Sequence, residues 1–173
     1  MQQIKVVFGD ITAVEVDVIV NAANSSLMGG GGVDGAIHRA AGPALAAECW
    51  EIVQRQGKLP TGEAIITGAG NIPVKHIIHT VGPIWRGGHA DEPALLASCY
   101  RNSLLLADRY ELESIAFPNI STGIYGYPPE LAADIALTAV RETLPQLLHI
   151  KRVLFVCFNQ ENVKLYENGL QSC

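Results

Sequence analysis

Asn21-Ala22-Ala23-Asn24-Ser25-Ser26-Leu27-Met28-Gly29-Gly30-Gly31-Gly32-Val33-Asp34-Gly35 is the stretch that decides the architecture. It leaves a β-branched run at residues 16–20 and enters a short Ala-rich segment at residues 36–41, so it reads as a strand-to-helix turn. Four successive glycines carry no side chain that would block a ligand. Set before a helix, their N–H groups can converge on phosphate oxygens. Gly30, Gly32 and Gly35 match G-x-G-x-x-G, but the dinucleotide fingerprint wants its first glycine directly after the strand and another strand after the helix. Here helix follows helix. There is no G-K-[ST], so this is no P-loop.

Outward from that turn, apolar β-branched runs alternate with helical patterns. Residues 4–8, 16–20, 64–67, 76–81, 114–117 and 153–158 read as strands. Helical patterns fall at residues 36–41, from Pro43 to near Gly57, at 91–109, from Pro128-Pro129-Glu130 to before Pro145, and at 161–170. Several strands are apolar nearly throughout, as strands covered on both faces should be. The pattern predicts an α/β fold, a three-layer α/β/α sandwich. The first two strands are joined by only seven residues, too few for a parallel crossover, which predicts some antiparallel pairing and a mixed central sheet.

With 173 residues and 49% hydrophobic against 17% charged residues, the chain is expected to be one domain over residues 1–173. The net charge of -5 and scattered Lys and Arg argue against direct DNA binding. No apolar run approaches a membrane span, and the first residues run straight into a strand pattern, so neither membrane association nor a signal peptide is expected. Cys49, Cys99, Cys157 and Cys173 form no C-x-x-C pair. The first three lie on apolar stretches and read as small core residues in a reducing cytoplasm. No metal site and no cofactor are expected.

A second loop, Phe117-Pro118-Asn119-Ile120-Ser121-Thr122-Gly123-Ile124-Tyr125-Gly126-Tyr127-Pro128, also links a strand to a helix. Ser121, Thr122 and the backbone around Gly123 could grip a second phosphate, with Tyr125 covering the ligand. A serine triad Ser121–Asp134–His149 can be drawn in chain order, but the first glycine of a nucleophile elbow is missing. Two phosphate-sized loops suggest one pyrophosphate held between them, beyond the carboxyl ends of the strands. Asp10, after the first strand, offers a carboxylate to an adenine amino group, or else caps a turn. His38 reads as a packing or surface residue.

The chain resembles a macrodomain of the MacroD type, and most of all the bacterial O-acetyl-ADP-ribose deacetylases of that group. The matching motifs are Gly9-Asp10-Ile11-Thr12, Asp17-Val18-Ile19-Val20-Asn21-Ala22-Ala23-Asn24, the block from Leu27 to Gly42, Thr61-Gly62, His79-Thr80-Val81-Gly82-Pro83, and Phe117 to Pro128. The resemblance implies a macrodomain-like fold with an ADP-ribose cleft. Asp10 and the Ile11 backbone would bind adenine, and Phe158 would pack on the ring. Asn21, Gly29, Gly30, Gly31, Gly32 and Val33, facing Ser121, Thr122, Gly123, Ile124 and Tyr125, would line the rest of the ligand, chiefly its diphosphate. Asn24 and Asp34 would flank the distal ribose as catalytic residues. Asn119 and Asn159 depart from the family pattern.

The implied activity is hydrolysis of O-acetyl-ADP-ribose and of ADP-ribose ester-linked to Asp or Glu, with small ADP-ribose derivatives and ADP-ribosylated proteins as partners. The alternative is an ADP-ribose-binding reader without turnover.

Overall fold

The computed structural model describes residues 2–171; Met1, Ser172 and the fourth cysteine, Cys173, lie outside the described residues. Six strands form one sheet: β1 Gln3–Phe8, β2 Val18–Ala22, β3 Ala64–Thr67, β4 His76–Thr80, β5 Ser114–Phe117 and β6 Arg152–Cys157. Five helices accompany them: α1 Gly32–Ala41, α2 Pro43–Gln56, α3 Glu92–Arg109, α4 Pro129–Thr143 and α5 Gln160–Gln171. The strand order is β1-β6-β5-β2-β4-β3. Only the β3–β4 pair is antiparallel.

The sheet is mixed, as expected, but not for the reason given. β1 and β2 run in the same direction with β6 and β5 between them. Residues 9–17 make the parallel crossing as a strap with a single 3-10 turn at Ile11–Ala13. Six extended residues and one 3-10 turn reach roughly 26 Å, enough to pass diagonally under two strands. The strap buries Ile11 and Val16 against Ala116, Leu154 and Val156, so it serves as covering for that face in place of a helix.

Two apolar clusters complete the sandwich. On one face Ile37, Leu45, Cys49 and Ile52 of α1 and α2 pack on Ile19, Ile77 and Val156. On the other, Leu96, Tyr100, Ala136, Val140 and Tyr166 of α3, α4 and α5 pack on Val18, Val20, Phe117 and Phe155. Hydrophobic side chains on both faces of β2 and β5 explain why these strands read as nearly continuous apolar runs. Cys49, Cys99 and Cys157 are buried and unpaired. No described helix is long and apolar enough to cross a membrane.

The chain leaving β2 turns to α1 on one face, whereas the chain leaving neighbouring β5 turns to α4 on the other. That divergence makes the topological switch point, outside the carboxyl ends of the strands, where ligands of open α/β sheets sit.

Candidate active site

Because β1, β6, β5, β2 and β4 are parallel, their following loops share one edge of the sheet. In order along it come Asp10, Phe158, residues 118–128, residues 23–31 and residues 81–91. The step from β1 to β2 is three strand spacings, roughly 14 Å.

At the β1 end, Asp10 does cap a turn. Its Oδ1 accepts from the Thr12 N–H at 2.9 Å and the Thr12 hydroxyl at 2.7 Å. The hydroxyl and the N–H together hold this carboxyl below its ordinary value. Oδ2 remains free, and the Ile11 N–H donates to no described residue, so the cap leaves the adenine role open. Phe158, just past β6, is 67% exposed. A large ring left in solvent at this edge of the sheet is a surface for another flat apolar body.

In the centre, the N–H groups of Ser121, Thr122, Gly123, Ile124 and Tyr125 donate to no described residue. The Ser121 hydroxyl is different: it is buried against Gly82 and has no hydrogen-bond partner. This loop therefore faces solvent with its backbone donors and not with that hydroxyl. Opposite, α1 starts at Gly32 with no side-chain cap, so its first N–H groups are open. Gly32 has φ +60°, a left-handed conformation that a side chain would strain. Carbons added at Gly31, Gly32 or Gly123 would meet nothing within 4 Å.

The glycine loop returns between the two predicted catalytic side chains. A Cβ on Gly30 would stand 3.6 Å from Asn24 Nδ2 and 3.6 Å from Asp34 Oδ2. Asn24 donates to the Gly29 carbonyl at 2.9 Å and accepts from Ser26 Oγ at 2.7 Å, leaving one N–H and one lone pair for another partner. Asp34, in the first turn of α1, is only 6% exposed. Burial raises its carboxyl above the ordinary range, while the Asn21 amide and His38 pull it back down. Burial is the largest of these influences, greater than any preference of the helix start for an anion.

Asn21 does not open the loop; it ends inside β2 and is fully buried. Its amide donates to Asp34 Oδ1 at 2.8 Å and faces His79 Nδ1 at 3.1 Å. His38 Nε2 lies 3.5 Å from Asp34 Oδ1. Its ring lies beneath Gly29 and 6.5 Å from that of His79, so of its two expected roles it takes the packing one, within this cluster. In the sequence His79 stands only within a matching motif, with no role assigned; its place beside Asn21 comes from strand register.

The serine triad is not assembled. His149 stands at the amino end of β6 beside Glu111, Asp134 shares a groove with Arg101, and Ser121 lies at the carboxyl edge. Among the described residues, no three His, Cys, Asp or Glu side chains are grouped to hold a metal ion. Asn119 and Asn159 have structural partners: Asn119 Oδ1 accepts from Asn162 Nδ2, and Asn159 Oδ1 from the Asn162 N–H in the first turn of α5.

The Macro domain family description matches residues 20–136. This chain belongs to the macrodomain family. It is 57% identical to the O-acetyl-ADP-ribose deacetylase of Klebsiella pneumoniae (strain 342), over 98% of this chain and 97% of that protein. The Oceanobacillus iheyensis macrodomain, solved with ADP, superposes with a TM-score of 0.94 at 47% identity, covering 98% of this chain and 90% of its own. The Trypanosoma brucei macrodomain in complex with ADP-ribose gives a TM-score of 0.87 at 41% identity, covering 96% of this chain and 68% of its own.

Proposed function

We propose that this macrodomain is an ADP-ribose-binding hydrolase that deacetylates O-acetyl-ADP-ribose and releases ADP-ribose ester-linked to Asp or Glu. The relatives named above act on or bind ligands of this kind. The observation that carries the reading is the convergence of Asn24 and Asp34 on either side of Gly30, next to open backbone donors. In this reading adenine lies between Asp10 and Phe158. The diphosphate lies between the α1 start and the 121–125 loop, and the distal ribose faces Asn24 and Asp34.

The chemistry needs one oriented water. Asp34 takes a proton from it as the oxygen bonds the ester carbonyl carbon. The bond from that carbon to the ribose oxygen then breaks, and the ribose oxygen receives the proton. A carboxyl raised by burial is a better base for this than an ordinary Asp. Asn24 holds the ribose hydroxyls with its free N–H and lone pair. Glycosidic cleavage typically uses two carboxylates, and Asp34 is the only one in the glycine block, which favours esters over Arg- or Ser-linked ADP-ribose. The test is turnover of O-acetyl-ADP-ribose and of Glu-, Arg- and Ser-linked ADP-ribose by the purified protein. Release from the esters alone is expected. Binding without release would make this protein a reader, and efficient release from Arg or Ser would end the ester restriction.

A further inference from the structure

Behind Asp34 lies a buried polar chain that the chemistry above does not use. His79 is fully buried on β4, and β2–β4 pairing sets it directly beside Asn21. His79 Nε2 is 3.0 Å from Thr67 Oγ1 on β3. Thr67 Oγ1 also lies 2.9 Å from the Gly68 carbonyl and 3.5 Å from the Ile77 carbonyl, both of which can only accept, and the nearer one takes its single proton. With that proton on a backbone carbonyl, Thr67 Oγ1 accepts from His79, an arrangement that puts the imidazole proton on Nε2 and leaves Nδ1 a bare acceptor. Asn21 Nδ2 then has a place for each proton, one on His79 Nδ1 and one on Asp34 Oδ1. Asn21 Oδ1, by contrast, is buried with no hydrogen-bond partner. The amide is thus oriented entirely by what its nitrogen meets. Flipped, it would set its oxygen against both the Asp34 carboxylate and the His79 lone pair.

We infer that Thr67 and His79 are positioning residues: by fixing the imidazole tautomer they lock the Asn21 amide so that it donates to Asp34. This rests on the proposed catalytic role of Asp34 but can be read separately from it. Burial first, and the neighbouring His38 second, push His79 down to about 3, so the imidazole stays neutral throughout the working range. The titratable groups around Asp34 are His38 on its own helix, His79 beyond Asn21 on β4, and Cys49 on α2.

Thr67→Val keeps the volume and removes the acceptor. His79 Nε2–H then has no partner, the other tautomer is favoured, and its Nδ1–H faces the Asn21 N–H. The amide turns, and Asp34 loses its donor. NMR titration of the Asp34 carboxyl carbon should show its midpoint rising by about one pH unit, as expected for loss of a hydrogen bond to the charged form. His79→Leu removes the acceptor without adding a competing donor, so its midpoint should rise less than that of Thr67→Val. Thr67→Ser and His79→Gln, which retain an acceptor and a donor–acceptor pair, should bring the midpoint at least halfway back. In turnover, kcat of Thr67→Val should fall about tenfold with KM changed less than twofold, since only the orientation of the base is lost. A Thr67→Val midpoint within a few tenths of wild type would overturn the inference, even if the variant melts earlier. The carboxyl titration reads Asp34 whether or not the ester is cleaved. A wild-type protein without turnover therefore removes the proposed reaction, not the relay.

Discussion

Asp34 sits under opposed influences, burial on one side and the Asn21 amide with His38 on the other, and burial prevails. If its anion is the base, the acid limb of kcat should lie above the ordinary Asp value near 3.8. A pH–rate profile flat down to that value would exclude Asp34 as the base. Asp34→Ala should slow ester turnover by roughly 10²-fold or more, and Asn24→Ala by less, both with near-native melting. At the far end of the cleft, Asp10→Ala should weaken ADP-ribose by about 1.5–3 kcal/mol, the range for a hydrogen bond to a charged group. It should leave ribose 5-phosphate much less affected. Calorimetry showing equal losses would place Asp10 in the fold and not at adenine.

At the scale of elements, the glycine loop is held by the helix that it starts. A Cβ on Gly35 would collide with the Gly30 carbonyl and come within 3.1 Å of Arg39 Nη1. Gly35→Ala should therefore push the loop out from between Asn24 and Asp34, costing about 1–3 kcal/mol of stability together with turnover. Equal activity in that variant would show the loop to be more pliant than its packing suggests.

The neighbouring loop is pinned otherwise. Buried Glu92 accepts from the N–H groups of Arg86 at 2.7 Å, Gly88 at 2.9 Å and Ala90 at 2.6 Å. Burial opposes its charge, but these donors outweigh it and hold the carboxyl at about 2. Its contribution to stability is complete above its ordinary value near 4.5 and is lost as pH falls toward about 2. The melting difference between wild type and Glu92→Gln should be largest at neutral pH and shrink below pH 4 or so.

Strands and helices were legible in the sequence because both-face burial makes strands apolar and prolines mark helix starts, as at Pro43 and Pro129. The start of α1 was placed four residues late, since glycines 32 and 35 hide a helical turn behind low propensity. Strand order and register were not legible. Asn21, Thr67 and His79 are adjacent only through β2–β4 and β3–β4 pairing.

For the molecule as a whole, a ligand that binds only the folded state raises its melting point by mass action. ADP-ribose at a hundred times its Kd should add about 2.7 kcal/mol. That is roughly 5–10 °C for a domain of this size. AMP, reaching only the adenine end and one phosphate, should give a smaller rise at equal concentration. Turnover should survive a chelator. Activity lost to chelation and restored by zinc or magnesium would contradict a single-carboxylate mechanism.

The glycines of this domain answer to two different masters. Those at 35 and 82 are required by the protein's own atoms, because a methyl group there would strike Gly30 or Ser121 and Ile120. Gly31 and Gly123 have ordinary backbone angles and empty space where a side chain would go. Nothing inside the fold asks for glycine at either place. A mutant library sorted for folding alone should thus accept alanine and larger residues at 31 and 123 while rejecting them at 35 and 82. Sorted again for ADP-ribose capture, the same library should lose the bulky residues at 31 and 123, and the gap between the two sorts would trace the outline of the bound ADP-ribose.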